Sequence, residues 1–79
     1  MKIYLKVLGN LQRRVVEDIT QPLEINDGTS VDGLLTRLGL ADHNYLVVVN
    51  DDYLKREDFA EHIMQDKDEV TISPPIKGG

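Results

Sequence analysis

Apolar and polar residues alternate over residues 2–8, KIYLKVL. Ile3, Leu5 and Val7 fall on one face, and lysine and tyrosine side chains fall on the other. Strict alternation has the period of a β-strand with one buried face. Because Gly9 ends the run, the pattern predicts a half-buried first strand followed by a turn.

The segment that follows, residues 10–20, has a weaker pattern. It contains apolar side chains without a regular period. Pro22 restricts any strand there to a sheet edge or a strand start, because proline donates no hydrogen bond to a ladder. Leucine and isoleucine then alternate with glutamate up to an Asn-Asp-Gly turn. We predict a second strand over residues 22–26 and treat 10–20 as a long hairpin arm.

The period changes to that of a helix after Gly28. Four apolar residues recur at helical spacing: Val31, Leu34, Leu35 and Leu38. This spacing predicts an amphipathic helix over residues 30–38. Thr29 or Ser30 can cap its first turn, and Gly39 supplies a left-handed stop after its last.

The second half of the chain predicts two more strands and a short helical segment. Residues 45–49 are apolar on both faces, which is typical of a central strand covered on each side. Residues 50–52 form a turn, and 56–64 have helical spacing, with Phe59 and Ile63 expected to face the core. Residues 69–73 alternate again before two prolines end the last strand.

The predicted order of elements is β-β-α-β-short helix-β, which defines an α+β domain. Parallel strands in one sheet need a crossover connection, and the helix over 30–38 is the expected crossover. A chain of 79 residues forms one core. We therefore predict a single domain over residues 1–73, with four to five strands in a mixed sheet, and a flexible tail over 74–79.

The composition excludes several classes of function. The chain contains no cysteine, so it has no disulfide, no zinc–thiolate site and no cysteine nucleophile. Its formal net charge of −5 argues against unspecific binding to nucleic acid or to an anionic membrane, which needs clustered Lys and Arg. No apolar run is long enough to cross a membrane, and the first ten residues lack the apolar stretch of a signal peptide. We expect a cytoplasmic domain.

Polar side chains offer few candidate sites. Residues 51–69 hold eight acids against three bases, which is typical of a solvated acidic face and would also steer a basic partner. Asp51 and Asp52 have no further ligands at a suitable spacing, so no metal site is predicted. His43 and His62 have no nucleophile–base arrangement around them.

One face of the predicted sheet offers a candidate interface. Apolar residues on an exposed sheet face indicate a docking surface, and Leu8 with Leu46 or Val48 are its expected members. Tyr4 and Tyr45 can anchor an interface, although filling the rim of a small core is the simpler interpretation.

The C-terminal tail, SPPIKGG, follows the last predicted strand directly. Its two prolines favour an extended backbone, and the five residues after Pro74 reach about 16–18 Å when fully extended. Gly78 and Gly79 carry no Cβ, so they fit a channel too narrow for other residues. The Gly79 carboxylate becomes an acyl donor once it is joined to AMP, and sulfide, a persulfide or an amine can then attack it. A frayed end without a function is the alternative interpretation.

The chain, apart from residues 9–21, resembles the ubiquitin-like sulfur carriers. This family includes ThiS, the sulfur carrier of thiamine biosynthesis, and MoaD, the small subunit of molybdopterin synthase. The similar segments are GTSV at residues 28–31, VVVN at 47–50, LKREDFA at 54–60, DKDEV at 66–70 and PPIKGG at 74–79. Their order, together with the Gly-Gly end, carries the resemblance.

The resemblance implies a β-grasp fold and a carrier rather than an enzyme, unless the chain is the small subunit of a molybdopterin-type synthase. It implies that an E1-like adenylyltransferase uses ATP to adenylate Gly79. A sulfur donor of the cysteine desulfurase type would convert the adenylate to a thiocarboxylate, and a synthase would accept the sulfur. The residues expected to contact these partners are Pro75, Ile76, Lys77 and Gly78. The chain itself would bind no cofactor and no metal.

The resemblance leaves three points open. Lys77 replaces the small or apolar residue of many sulfur carriers, so the activating enzyme is not identified. The length suits the molybdopterin type, whereas residues 54–65 are closer to the thiamine type. The alternatives are a protein modifier conjugated through Gly79 and a β-grasp interaction module with an inert tail.

Overall fold

Five strands and one α-helix form the body of the protein. The computed structural model describes residues 1–40 and 45–74. Its elements are β1 (Lys2–Val7), β2 (Leu23–Glu24), α1 (Val31–Leu38), β3 (Leu46–Val49), β4 (Asp52–Leu54) and β5 (Glu69–Ser73). The strands form one mixed sheet in the order β2-β1-β5-β3-β4. The predicted α+β architecture is confirmed.

The strand directions make α1 a crossover, as predicted. β1 and β5 are parallel, whereas β2 is antiparallel to β1 and β3 is antiparallel to β5. β2 and β3 therefore run in the same direction, and α1 connects them across the sheet. The helix packs on one face of the sheet, where the period-2 alternation of the strands places their apolar side chains.

The core lies between α1 and that face of the sheet. The helix contributes the apolar stripe predicted from its spacing, and all four side chains of the stripe are buried. The strands contribute Ile3, Val7, Val47, Val49, Val70 and Ile72, which are also buried. Full burial of such a side chain stabilises the fold by about 1.5–3 kcal/mol. Packing therefore holds this eight-residue helix, which would be marginal alone.

The ends of α1 follow the predicted signals. Ser30, and not Thr29, is the N-cap: its hydroxyl oxygen accepts a hydrogen bond of 3.0 Å from the Gly33 N–H. Gly39 has a φ of 82°, in the left-handed region that ends helices. Asp32 in the first turn and Arg37 in the last complement the helix dipole.

A 3₁₀ helix over Gly9–Arg14 replaces the first half of the predicted hairpin arm. Leu11 is buried and anchors this helix to the core. The Gln12 side chain donates a hydrogen bond of 2.8 Å to the carbonyl of Val7, at the end of β1. The buried Leu11 and the hydrogen bond of the Gln12 side chain therefore fix the segment. Neither contact produces a periodic pattern in the sequence.

The loop between this 3₁₀ helix and β2 is tied to the end of α1. The Val16 N–H donates to the Leu38 carbonyl, at 3.2 Å. The Asp18 carboxylate accepts bonds from the Thr20 hydroxyl and N–H, and these bonds lower the pKa of that carboxyl. Strand β2, Leu23–Glu24, is shorter than the predicted 22–26, although the Ile25 N–H still bonds to the Met1 carbonyl beside it.

The helix predicted over residues 56–64 is wrong. Only Arg56–Asp58 form a 3₁₀ helix. Phe59 is buried as expected, but Ile63 is 47% exposed. The chain is extended by this point: Ile63 forms a bridge with Ser30, and the neighbouring side chain that reaches the core is Met64.

Strand β4 is absent from the sequence prediction, which places Asp52 in a turn. Asn50 and Asp51 have φ values of 50° and 71°. Positive φ at both central residues defines a two-residue turn that joins twisted antiparallel strands. Asp52 therefore pairs with Val49, and the chain returns as an edge strand.

Candidate functional site

The C-terminal tail leaves the sheet from its central strand. β5 has β1 on one side and β3 on the other, and Ser73 at its end pairs with Leu46. Because β1 and β5 are parallel, both strands end at the same end of the sheet, where β3 begins. We call this the tail end, and we call the opposite end, which contains the β3–β4 turn, the far end.

Residues after β1 flank the point where the tail leaves. The Leu8 N–H donates to the Ile72 carbonyl at 2.9 Å, which continues the β1–β5 pairing. Gly9 has a φ of 64°, and a Cβ at that residue would lie 3.7 Å from Pro74 Cγ. The positive φ favours glycine at this turn, whereas a Cβ would make only an ordinary contact with the exposed Pro74. The predicted site residues Pro75–Gly79 lie outside the described residues, and so does His43.

The sheet face opposite α1 is exposed, and we call it the open face. Its central row crosses four strands, because Lys6 pairs with Thr71, Thr71 with Val48, and Val48 with Tyr53. Directly paired residues project from the same side of a sheet and contact one another. This row therefore forms one continuous surface of mixed apolar and polar character.

Two tyrosines make the open face apolar and accessible. Tyr4 is 47% exposed and Tyr53 is 62% exposed. Leu46 and Val48 are half-buried beside them, so the prediction that β3 is covered on both faces is wrong. Tyr45 is instead a core residue, and its hydroxyl accepts a bond of 3.1 Å from Arg14. An accessible face that contains aromatic side chains is typical of a protein–protein interface.

The far end contains a satisfied buried carboxylate. Asp68 is 7% exposed, and its two oxygens accept bonds of 2.7 Å from the Asn50 side chain and from the Gln65 N–H. The Asn50 side-chain oxygen accepts from the Glu69 N–H at 2.9 Å. These bonds join the β3–β4 turn to the start of β5, so their role is structural.

A cavity of about 220 Å³ lies beside this network, and Asp52, His62 and Asp68 are among its lining residues. Within residues 1–40 and 45–74, no group of three or more histidine or acidic side chains is placed to hold a metal ion. His62 is half-buried there, and its backbone bonds to Asp58 and Val31 hold the chain in place. We find no arrangement for catalysis in this cavity.

Reasoning from the sequence misses two exposed side chains near the tail end and the open face, those of Tyr53 and Arg13. Tyr53 is missed because residue 52 is assigned to a turn; a two-residue turn at Asn50 and Asp51 would have placed Tyr53 opposite Val48. Arg13, exposed on the 3₁₀ helix that follows β1, is missed because that segment has no periodic pattern. Leu8, Leu46 and Val48, which were predicted as interface members, do lie at or near the open face. The list of surface residues is therefore longer than the predicted one.

Comparisons with known proteins identify a family for this chain and a solved structure with a similar fold. Residues 5–79 match the ThiS family, which covers nearly the whole chain and includes the C-terminal glycines. The chain belongs to the ThiS family. Among solved structures, the solution structure of Urm1 from Trypanosoma brucei matches 99% of this chain and 95% of its own, with a TM-score of 0.68 and 17% identity. No curated protein matches significantly.

The β-grasp prediction is confirmed, and membership of the ThiS family places the chain among the ubiquitin-like sulfur carriers and modifiers. The likeness to Urm1 shows the same ubiquitin-like fold, a mixed five-stranded sheet with one helix. Small proteins of this type are carriers or modifiers and are not catalysts themselves. They are generally activated by E1-like enzymes. No helix in the described part of the chain is long and apolar enough to span a membrane.

Proposed function

We propose that this protein is a sulfur carrier whose Gly79 carboxylate is adenylated by an E1-like enzyme and converted to a thiocarboxylate. The observation that carries the proposal is the ThiS family match over residues 5–79, which includes the Gly-Gly end. The position of β5 supports it, because a tail that starts at the exposed Pro74 can extend away from the body. Residues 1–73 would be the body that partners bind, and 74–79 the segment that they act on.

The chemistry takes place in two steps, at an oxygen and then at the carbon of the Gly79 carboxyl group. An oxygen of the Gly79 carboxylate attacks the α-phosphorus of ATP, and pyrophosphate leaves with the electrons of the broken P–O bond. A sulfur nucleophile then attacks the acyl carbon, and AMP leaves. Hydrosulfide gives the thiocarboxylate directly. A persulfide gives an acyl disulfide, which a thiol must cleave to release the thiocarboxylate and a disulfide.

The partners would supply everything except the acyl group. The activating enzyme would bind ATP, a donor of the cysteine desulfurase type would deliver sulfur, and a synthase of thiamine or molybdopterin biosynthesis would accept it. Because activation consumes ATP, we place the reaction in the cytoplasm. Pro75, Ile76 and Lys77 would occupy the entrance of the enzyme's channel, and Gly78 would lie in its narrowest part.

The open face would provide the binding energy for these partners. Tyr53 and Tyr4 are large, accessible side chains on a flat sheet surface, and tyrosine is among the residues that dominate interface energetics. Leu46 is on the same face and pairs with Ser73, the last residue before the tail. A partner that covers the face is thereby placed next to the segment that it must take up.

Intact-mass spectrometry tests the proposal. The protein is incubated with ATP, the E1-like adenylyltransferase of its source organism and a sulfur donor. We expect a mass increase equal to the replacement of one oxygen by sulfur, and no change when ATP is omitted. An unchanged mass, with the enzyme shown to release pyrophosphate on another carrier, would refute the proposal.

The same mixture distinguishes the modifier alternative. If Gly79 forms an isopeptide bond, covalent adducts with other proteins appear when cell lysate is added, and they resist reducing agents. If the tail is inert, neither a thiocarboxylate nor an adduct forms. A thiocarboxylate without adducts supports the sulfur carrier alone.

A further inference from the structure

Charged side chains are separated between the two ends of the molecule. The first sixteen residues contain four cationic side chains and no acid. Two of these side chains, Lys6 and Arg13, are exposed near the tail end. The far end carries the exposed acids Asp51, Asp52, Asp66 and Glu69, which lie in or beside the turns at that end and outnumber its two exposed cations, Lys2 and Lys67. The molecule therefore has a basic end, from which the tail leaves, and an acidic end.

Four exposed residues surround the basic end, and we call Lys6, Leu8, Arg13 and Val16 the tail shoulder. Leu8 is 38% exposed beside the point where the tail leaves. Val16 is 73% exposed and packs against Gly39, where a Cβ would lie 3.3 Å from the Val16 side chain. Buried Leu11 and the Gln12 bond to Val7 hold the segment between them.

No acid among residues 1–40 and 45–74 forms an ion pair with either cation of the tail shoulder. The acids nearest to Arg13 in the sequence are already engaged: Glu17 pairs with Arg37 at 3.2 Å, and Asp18 bonds to Thr20. The positive charge at this end is therefore available to another molecule.

The tail shoulder is continuous with the open face. Lys6 belongs to the row that includes Val48 and Tyr53. A partner that covers this row and takes up the tail must also approach Leu8 and the 3₁₀ helix. Its surface around the entrance of the tail channel then faces Lys6 and Arg13.

We infer that the activating adenylyltransferase binds the tail shoulder through an acidic surface with a small apolar patch, next to the channel that takes up the tail. This inference rests on the proposed function and adds a second contact to it. Opposite charges accelerate encounter more than they lower the dissociation rate. The acidic far end adds to this steering, because the acidic surface of the enzyme repels it. The chain therefore approaches the enzyme with its tail end first.

Charge reversal with a matched control tests this inference. We compare the double variant K6E/R13E with the single variants and with Lys67→Glu. The Lys67 substitution makes the same charge change as each single variant, at an exposed residue of the far end, where the Lys67 N–H bonds to the Lys2 carbonyl. The rate of adenylation is measured as pyrophosphate release, with the E1-like adenylyltransferase of the source organism and saturating ATP. Thermal unfolding of each variant verifies that it is folded.

We expect kcat/KM at low ionic strength to fall about tenfold or more in the double variant, mainly through KM. Lys67→Glu should stay within about twofold of the wild type. The wild-type rate should fall as salt rises from about 0.01 to 1 M, over which the Debye length shrinks from about 30 to 3 Å. The double variant should show little of this dependence.

The outcomes separate the two proposals. If the wild type is not adenylated by an enzyme that is active on another carrier, the proposed function fails, and the inference fails with it. If the wild type is adenylated but the double variant and Lys67→Glu have equal kcat/KM, the tail shoulder is not a contact and the proposed function stands. A wild-type rate that does not depend on salt would also overturn the inference.

Discussion

The two ends of the sheet use their polar groups differently. At the far end, both oxygens of the Asp68 carboxylate bond within the chain, and Asn50 bonds at both its amide nitrogen and its oxygen. At the tail end, Leu8 and Val16 are exposed, and the cation of Arg13 has no acid of the described chain as its ion-pair partner. The far end therefore stabilises the fold, and the tail end presents groups to another molecule.

This difference suits the proposed function, in which partner enzymes take up the C-terminal tail. A carrier must not trap its tail, because any internal contact made by the tail has to be broken before a partner can bind it. Charge-assisted hydrogen bonds at the far end stabilise the fold. The tail end therefore does not need internal polar contacts for stability. Substitutions at the far end should therefore change stability, and those at the tail end or on the open face should change activation.

Deletion of Gly79 should have the largest effect. The shortened chain ends at Gly78, so its carboxylate is one residue short of the adenylation site, and we expect pyrophosphate release to fall to background. The unfolding midpoint should not change, because the deletion touches no residue of the core. A truncated protein that is still adenylated at the wild-type rate would contradict the assignment of the site.

Asp68→Ala should be the most damaging substitution for stability. It removes the acceptor of two bonds, and bonds to charged groups contribute about 1.5–3 kcal/mol, so we expect a loss of about 2–3 kcal/mol in denaturant unfolding. Asp51→Asn is the matched control: Asp51 is exposed in the left-handed region, where asparagine is well tolerated, and stability should hold within about 0.5 kcal/mol. Equal losses in the two variants would refute the structural role of Asp68.

Activation of Asp68→Ala should remain normal at a temperature where the variant is folded, because the contacts proposed for the activating enzyme do not include Asp68, which is buried. We would measure pyrophosphate release well below the unfolding midpoint. A kcat/KM reduced severalfold in fully folded protein would show that the two ends are not independent.

Tyr53→Ala should weaken the encounter with partners by a smaller amount. Truncation of a tyrosine in an interface commonly costs about 1 kcal/mol or more, which corresponds to roughly a fivefold rise in KM. Stability should change little, since Tyr53 is 62% exposed on an edge strand. Ile63→Ala removes a large apolar side chain that is 47% exposed near the start of α1. It should leave KM unchanged, and an equal effect of both variants would argue against the open face.

Ser30→Ala should have the smallest effect and should act on stability alone. Loss of an N-cap costs about 1 kcal/mol, which lowers the unfolding midpoint of a domain of this size by about 4–8 °C. Thr36→Ala, in the interior of the same helix, should be neutral or slightly stabilising, because alanine has the higher helix propensity. A midpoint that is unaffected by Ser30→Ala would contradict the cap.

Much of the fold could be predicted where the hydrophobic period is strong. β1, α1 and β5 have clear alternation or a clear helical stripe, and Gly39 marks the helix end. The chemical site at the tail stays a prediction, which the Gly-Gly end after two prolines supports. The family resemblance then added the fold and the activation chemistry to that prediction.

The remaining features depend on contacts that no local pattern records. β4 exists because Asn50 and Asp51 both adopt positive φ, and Asp52 then pairs with Val49. The chain becomes extended before Ile63, so the Met64 side chain, and not that of Ile63, faces the core. Asp68 is one acid among eight in its stretch of sequence, and only the fold brings Asn50 to its carboxylate.

Peptide-level mass spectrometry of the thiolated protein tests the central claim most directly, because it locates the sulfur. The protein is treated with ATP, the activating enzyme and a sulfur donor, then cleaved by a protease and compared with an untreated sample. We predict that the replacement of oxygen by sulfur occurs only on the peptide that ends at Gly79. Sulfur on any other peptide, or on none when the enzyme thiolates another carrier, would contradict the account.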